Sequence, residues 1–210
     1  LVCNRNQLKS NMLGKTHVVV GMSLYLTVAH PADLKSLLVG TAVSVIGAEI
    51  SDIDEANSKV RKLFNRIVTC LVFIAVALIF AVKQFGLQIR PPACLETSKD
   101  LVAVLLLILI YGCVSNHRDA MHSILIGFVL SVIIKVWIGE YGLYFFISFL
   151  SHILLDASNN KSVRLFFPLK KGVCLGICKA NGLVNNILLT VGTVYAGYQF
   201  YQYFISFLNF

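Results

Sequence analysis

Charged residues are scarce in this sequence, and that scarcity narrows its class. Asp, Glu, Lys and Arg make up 13% of the 210 residues, whereas a soluble domain carries about a quarter. Six Cys are too sparse for a disulfide scaffold. Because 57% of the residues are hydrophobic, a disordered chain is excluded. The composition therefore indicates an integral membrane protein, with a soluble domain of unusually apolar core as a distant alternative.

The chain nevertheless carries a net charge of +8. In a soluble protein this excess would point to a nucleic-acid partner, but here Lys and Arg fall in the loops between apolar runs. Basic residues are favoured in the cytoplasmic loops of membrane proteins, and no strand-like alternation of aromatic and basic residues is present. We therefore expect no nucleic-acid partner.

Seven apolar stretches predict an all-α fold, a polytopic membrane bundle of about six to seven membrane-embedded helices. They cover approximately residues 17–29, 37–50, 67–82, 101–114, 123–138, 143–155 and 183–208. Several are shorter than the roughly 20 residues that cross a bilayer, so we expect their ends to extend by about four residues. Residues 12–210 are expected to form one integral-membrane domain, with residues 1–11 a leader or expression remnant before Met12.

Polar residues form four short signatures near the ends of these stretches. They are Thr16-His17, Asp52-Ile53-Asp54, Asn116-His117-Arg118 with His122-Ser123, and Ser151-His152 with Asp156. If successive helices cross the membrane in alternating directions, all four signatures lie on one face. Of the 18 Lys and Arg residues, thirteen fall in loops on that face, four on the other and one inside a span. The positive-inside bias then makes the shared face cytoplasmic.

Spacing within the signatures favours metal binding. His152 and Asp156 are four residues apart, so on a helix they share one face, a single turn apart. Imidazole and carboxylate on one face can both bind a divalent ion such as zinc. His117 and His122 are five apart, and they converge only if His117 precedes the helix that His122 begins.

The four signatures, in this order, resemble the YdjM-like family of bacterial membrane-bound, metal-dependent hydrolases. That family is grouped with zinc-dependent phospholipase C and P1 nuclease proteins. The resemblance covers roughly residues 12–170 and includes Asn57-Ser58-Lys59 and Phe167-Pro168-Leu169. The sequence departs from the family pattern at Ser51, Glu55 and Asp119, where Pro, His and Gly are common, and over residues 159–162.

The resemblance implies a hydrolase of the bacterial inner membrane, and the charge bias predicts that its site opens toward the cytoplasm. By motif position it implies a set of metal ligands, namely His17, Asp52, His122, His152 and Asp156. It also implies that Asp54, His117 and Arg118 are further ligands or catalytic helpers.

A cluster of this composition suits one to three divalent ions, most simply Zn²⁺, with Mn²⁺ as an alternative. Metal-activated water would cleave a phosphoester, Arg118 would hold a phosphate, and Asp54 would act as general base or bridging ligand. The membrane location makes a phospholipid or a polyprenyl phosphate the expected substrate class.

Two other classes remain open at this stage. An ion- or metal-coupled transporter would use His and Asp as relays, but such sites lie near the bilayer midplane rather than at helix ends. A non-catalytic membrane scaffold would use the basic loop 157–182 and would need no metal.

Overall fold

The computed structural model describes residues 14–85, 93–177 and 182–208. Within these ranges the fold is all-α, with seven α-helices and no β-strand. The helices are α1 (Gly14–Ala29), α2 (Leu34–Glu49), α3 (Lys59–Phe85), α4 (Ala93–Val114), α5 (Ile124–Ile138), α6 (Tyr141–Ala157) and α7 (Leu183–Leu208). Each overlaps one of the seven predicted apolar stretches, but α3 and α4 begin eight residues before the predicted starts at 67 and 101, which exceeds the expected extension of about four residues. The predicted leader, residues 1–11, lies outside the described residues.

Capping side chains explain several helix starts that hydropathy alone misses. Asp33 caps α2 by accepting a hydrogen bond from the Ser36 backbone N–H at 2.6 Å, and the Ser36 side chain returns the bond in a capping box. Ser58 accepts from the backbone N–H of Arg61 at 3.0 Å, so α3 begins at Lys59 within a polar segment. Ser123 caps α5 in the same way.

Contacts between helices establish their directions. The Ser44 hydroxyl on α2 donates to the Gly21 carbonyl on α1, and α2 runs antiparallel to α1. Ser44 also contacts Ser148 on α6, which runs parallel to α2. Thr16 donates to Asn185 at the start of α7, so α7 runs parallel to α1. The start of α1 and the ends of α2 and α6 therefore meet at one end of the bundle, hereafter the site end.

Glycines allow α6 to pack closely against its two neighbours. A Cβ added at Gly47 on α2 would lie 2.6 Å from the Phe145 carbonyl oxygen on α6. A Cβ at Gly142 on α6 would lie 2.5 Å from the Ser131 carbonyl oxygen on α5. Small residues that let backbones approach are typical of helix packing in membranes. This close packing holds α2, α5 and α6 in a fixed relative position beneath the site end.

The segment after α6 folds back over the site end. Val163 and Val173 form an isolated antiparallel bridge, and the Leu165 side chain is buried in the main core with Val163. The Leu165 carbonyl accepts from the backbone N–H of Ile124, which ties this segment to the start of α5. The described part of the predicted basic loop, residues 158–177, therefore packs against the helices.

Among the described residues, one helical segment is by itself long and apolar enough to cross a membrane. It runs from Leu34 to Asp54 and comprises α2 with the 3₁₀ turn Ile50–Asp54. At 1.5 Å per residue its 21 residues span about 32 Å, comparable to the hydrocarbon thickness of a bilayer. α5 and α6 are also apolar but shorter, with 15 and 17 residues.

Candidate metal centre

Four separate elements bring the predicted polar residues together at the site end. His17 lies in the first turns of α1, and His152 and Asp156 lie one turn apart near the end of α6. Asp52 and Asp54 belong to the 3₁₀ turn Ile50–Asp54 that follows α2. The α4–α5 connection carries the remaining three residues, His117, Arg118 and His122. His122 lies in a 3₁₀ turn just before α5 rather than in the first turn of that helix.

Four of these side chains surround one centre: Asp52, His122, His152 and Asp156. Nε2 of His122 lies 3.4 Å from Nε2 of His152 and 3.3 Å from Oδ2 of Asp156. Oδ1 of Asp52 lies 3.7 and 3.5 Å from the same two nitrogens. Around a tetrahedral zinc with bonds of about 2.0–2.1 Å, neighbouring ligand atoms are about 3.3–3.4 Å apart. The observed distances are close to that spacing, so this group could hold a metal ion.

Hydrogen bonds on the outer nitrogens turn both rings toward the centre. Nδ1 of His152 donates to the Ala48 carbonyl at 2.6 Å, because a carbonyl can only accept. Nδ1 of His122 donates to Oδ2 of Asp54 at 3.1 Å. In a neutral ring this leaves the lone pair on Nε2, the atom that faces the other ligands. Orientation of a histidine by a carbonyl or carboxylate behind it is typical of metal-binding histidines.

Asp54 lies behind the centre and organises three neighbours. Its Oδ1 is 2.8 Å from Nδ1 of His117, and its Oδ2 accepts from His122 and from the backbone N–H of Arg118. The carboxylate is completely buried. Asp54 and His117 also belong to a second potential metal group, which shares Asp52 and His122 with the first.

His17 lies beside the four-residue group rather than within it. Its ring stacks on that of His152 with centroids 4.0 Å apart, and its Nε2 is 3.7 Å from Oδ1 of Asp156. Its Nδ1 is buried and has no hydrogen-bond partner among the described residues. A buried polar atom left in this way costs about 1–3 kcal/mol. The metal groups themselves do not include His17, and the fit to a metal rests on the two imidazoles and two carboxylates of the four-residue group, which are donors that zinc accepts.

Arg118 points into the protein rather than toward solvent. Its Nη2 lies 2.9 Å from Oδ1 of Asp156, and its Nη1 donates to the Lys161 carbonyl at 3.2 Å. Its side chain is only 4% exposed. The guanidinium, for which the motif predicts contact with a substrate phosphate, contacts the predicted metal ligand Asp156 in the structure.

The carboxylates around His122 dominate its ionisation. Burial alone would lower the pKa of His122, but hydrogen bonds to Asp156 and Asp54 raise it to about 10. In the absence of a cation, the proton on His122 partly balances the negative charge of the three Asp side chains. A divalent ion would replace that proton.

Two residues support the site although the sequence did not indicate their roles, because their contacts are to backbone atoms. Nη1 of Arg61 donates to the carbonyls of Ile53 and Cys113, at 3.0 and 2.7 Å, and joins the Asp-bearing turn to the end of α4. The Ser58 hydroxyl donates to the Asp52 carbonyl at 2.6 Å. The only signal in the sequence is the polar Asn57-Ser58-Lys59 run that follows the two Asp residues.

A comparison with known families identifies the family of the chain. The model of the YdjM inner membrane protein family matches residues 12–208, which is nearly the whole chain. The chain therefore belongs to the YdjM inner membrane protein family, as its motifs predicted. No curated protein and no solved structure matches the chain. The broader grouping with phospholipase C and P1 nuclease proteins stays a prediction.

Proposed function

We propose that this member of the YdjM inner membrane protein family is a multi-pass enzyme that hydrolyses a phosphoester of a membrane lipid. A divalent metal, most simply Zn²⁺, would be held by Asp52, His122, His152 and Asp156. The observation that carries the proposal is the spacing of their inward-facing atoms, 3.3–3.7 Å for the pairs centred on His122. Such a buried His and Asp cluster is costly to maintain unless a cation or function compensates it.

A single ion in the first group is the simplest occupancy. The second group shares Asp52 and His122 with the first and adds Asp54 and His117. Both oxygens of Asp54 already accept hydrogen bonds from histidine Nδ1 atoms. Those bonds orient the rings, and a metal on Asp54 would have to replace at least one of them. The chemistry that one bound ion supplies is an activated water at neutral pH and positive charge for a phosphoryl oxygen.

His117 is the residue best arranged to move a proton. Its Nδ1 is held by Oδ1 of Asp54 at 2.8 Å, which directs Nε2 to the opposite side of the ring, 3.8 Å from Oε2 of Glu55. Its side chain is 21% exposed, while those of His122 and His152 are buried. A histidine that is oriented by a buried carboxylate and partly exposed to solvent is suited to general acid–base work. His117 Nε2 would take up or deliver the proton during hydrolysis.

The site has one open side, and a headgroup would approach there. Asp52 and Glu55 have partly exposed side chains, 26% and 33%, next to His117. The remaining cluster side chains are at most 4% exposed. The faces of α3 and α4 near this end carry exposed apolar side chains such as Leu63 and Leu107, which suit contact with acyl chains. A lipid phosphoester fits both features.

The proposed topology has the site end in the cytoplasm. α1 and α7 run in one direction and α2 and α6 in the other, so α2 reverses the direction of α1 and α7 that of α6, as successive spans of a multi-pass bundle would. The basic loops connect helices at the site end, so the positive-inside bias supports a cytoplasmic site. The cluster lies at helix ends rather than at mid-bundle, which disfavours the transporter alternative.

Metal content and lipid hydrolysis, measured on the same detergent-purified samples, test the proposal. We expect near-stoichiometric zinc in the wild type and its loss in His152→Gln. His30→Gln is the matched control, because His30 lies at the far end of α1 and bonds to the Tyr203 hydroxyl at 3.1 Å. Phosphoester cleavage is then assayed in mixed micelles of phosphatidylglycerol and, separately, of a polyprenyl phosphate.

The outcomes separate the alternatives. Metal retained in His30→Gln, absent from His152→Gln, and required for cleavage supports the enzyme. Bound metal without cleavage of either lipid contradicts the proposed lipid hydrolase activity and favours the metal-coupled transporter. No metal in the wild type after repletion contradicts the metal centre and leaves the scaffold as the better explanation.

A further inference from the structure

The Arg118 guanidinium, which its motif suggested as a phosphate contact, lies against the Asp156 carboxylate in the structure. We infer that Arg118 is a positioning residue, which holds Asp156 in the orientation needed for a metal ligand and does not contact the substrate. The inference rests on the proposed metal centre. If Arg118 positions Asp156, a residue other than Arg118 must bind the substrate phosphate.

The Arg118 guanidinium and the His122 ring contact different oxygens of the Asp156 carboxylate. Oδ1 of Asp156 receives Nη2 of Arg118 at 2.9 Å, while Oδ2 lies 3.3 Å from Nε2 of His122. The Lys161 carbonyl accepts from Nη1 and fixes the plane of the guanidinium. With both nitrogens engaged on the inner side, and 4% of the side chain exposed, a phosphate would have to displace Asp156 to reach them.

The backbone of Arg118 contributes a second contact of the same kind. Its backbone N–H donates to Oδ2 of Asp54 at 3.1 Å. Arg118 therefore contacts two carboxylates, that of Asp54, which orients the His122 ring, and that of Asp156, which faces the same ring. The φ angle of +67° is in the left-handed region, which costs a residue with a Cβ about 1 kcal/mol or more. The Arg118 carbonyl accepts from the Arg164 backbone N–H, which holds this strained conformation in place.

Charge and geometry must be separated in a test of this role. Removing the positive charge would also reduce its repulsion of a bound cation, and that gain would oppose the loss of positioning. Arg118→Lys keeps the charge but loses the planar fork that bridges Asp156 and the Lys161 carbonyl. It is therefore the informative variant. Arg164→Lys is the matched control, because the Arg164 side chain pairs with Asp119 at 2.7 Å, and Asp119 is not one of the proposed metal ligands.

The measurement is zinc affinity by chelator competition, with the visible spectrum of the Co²⁺-substituted protein as a readout of coordination geometry. We expect Arg118→Lys to weaken zinc binding by about tenfold or more, the lower part of the range for residues that orient metal ligands. Its Co²⁺ spectrum should change, while Arg164→Lys should match the wild type in both. In an Asp156→Asn background, Arg118→Lys should cause no further loss, because its effect acts through Asp156.

Each contrary result has a distinct meaning. Unchanged zinc affinity and an unchanged Co²⁺ spectrum in Arg118→Lys, with weaker inhibition by inorganic phosphate, would overturn the positioning role in favour of a phosphate contact. An equal loss in the wild-type and Asp156→Asn backgrounds would overturn it in favour of a general folding defect. A wild type that binds no metal would overturn both this inference and the proposed function, whereas the first two results leave the metal centre intact.

Discussion

Replacing Asp54 by Asn removes the charge behind the metal centre while keeping the shape of the side chain. In the structure the two carboxylate oxygens accept from Nδ1 of His117 and of His122, at 2.8 and 3.1 Å. An amide has one oxygen, so its NH₂ group would meet one of these N–H donors. One ring must then lose its bond or rotate. If that ring is His122, its Nε2 no longer faces Asp156 and His152.

The expected size of the effect follows from this lost bond. A hydrogen bond to a charged group contributes about 1.5–3 kcal/mol, which corresponds to roughly a 10–100-fold weaker metal affinity. The lost charge also weakens proton binding at His122, which by itself would favour the metal. The divalent ion is affected about twice as strongly as the proton, so the net change is still a loss.

Chelator competition at pH 7.5 measures this change directly. Asp33→Asn is the matched control, because Asp33 caps the opposite end of α2, is exposed, and Asn caps helices equally well. We expect Asp33→Asn to bind zinc like the wild type. If Asp54→Asn did so too, the histidine orientation derived from the Asp54 hydrogen bonds would be refuted.

Three further predictions concern proton release, packing and topology. Neighbouring carboxylates raise the pKa of His122 to about 10, so metal binding should release the proton of this histidine. The logarithm of the zinc association constant, measured by chelator competition, should therefore rise by about one per pH unit between pH 7 and 9. An association constant that does not change with pH would contradict this prediction. Gly47→Ala should lower the free energy of unfolding by about 1–3 kcal/mol, because the added Cβ would meet the backbone of α6. Gly197→Ala on α7 should leave that free energy unchanged, because there is open space around the added Cβ. Equal melting temperatures for the two variants would contradict the close packing of α2 and α6. Topology can be tested in spheroplasts that express a variant whose native Cys residues are replaced. An impermeant maleimide should label Glu140→Cys, at the end of the bundle opposite the site, and leave Lys171→Cys at the site end unlabelled. The reverse pattern would contradict a cytoplasmic site.

Helix number and order could be predicted from the sequence because hydropathy is a local property. Each of the seven apolar stretches corresponds to a helix among the described residues. The boundaries were less accurate at α3, which begins at Lys59 rather than near Ile67. There, capping by Ser58 allows a polar segment to be helical, and a hydropathy profile does not contain that information.

The convergence of the four polar signatures was also predictable, because helices joined by short loops alternate in direction. Counting spans placed the start of α1, the ends of α2 and α6 and the α4–α5 connection at one end, and the structure brings them together there. The pairing of His152 with Asp156 needed only the helical repeat. Neither argument requires knowledge of distances between helices.

The roles of individual atoms could not be derived in that way. The Ala48 carbonyl bonds to His152, Asp54 bonds to two histidines, and Arg118 contacts Asp156 rather than a surface. These partners are separated by 38 to 104 positions in the chain. Their contacts depend on the distances between helices, on side-chain rotamers and on the left-handed backbone conformation at Arg118. These properties are defined only once the packed helices bring distant segments within hydrogen-bonding distance, about 3 Å. Composition and periodicity thus determine the helices and the end of the bundle at which the site lies. Packing determines which nitrogen of each histidine faces the metal centre and which carboxylate lies behind that histidine.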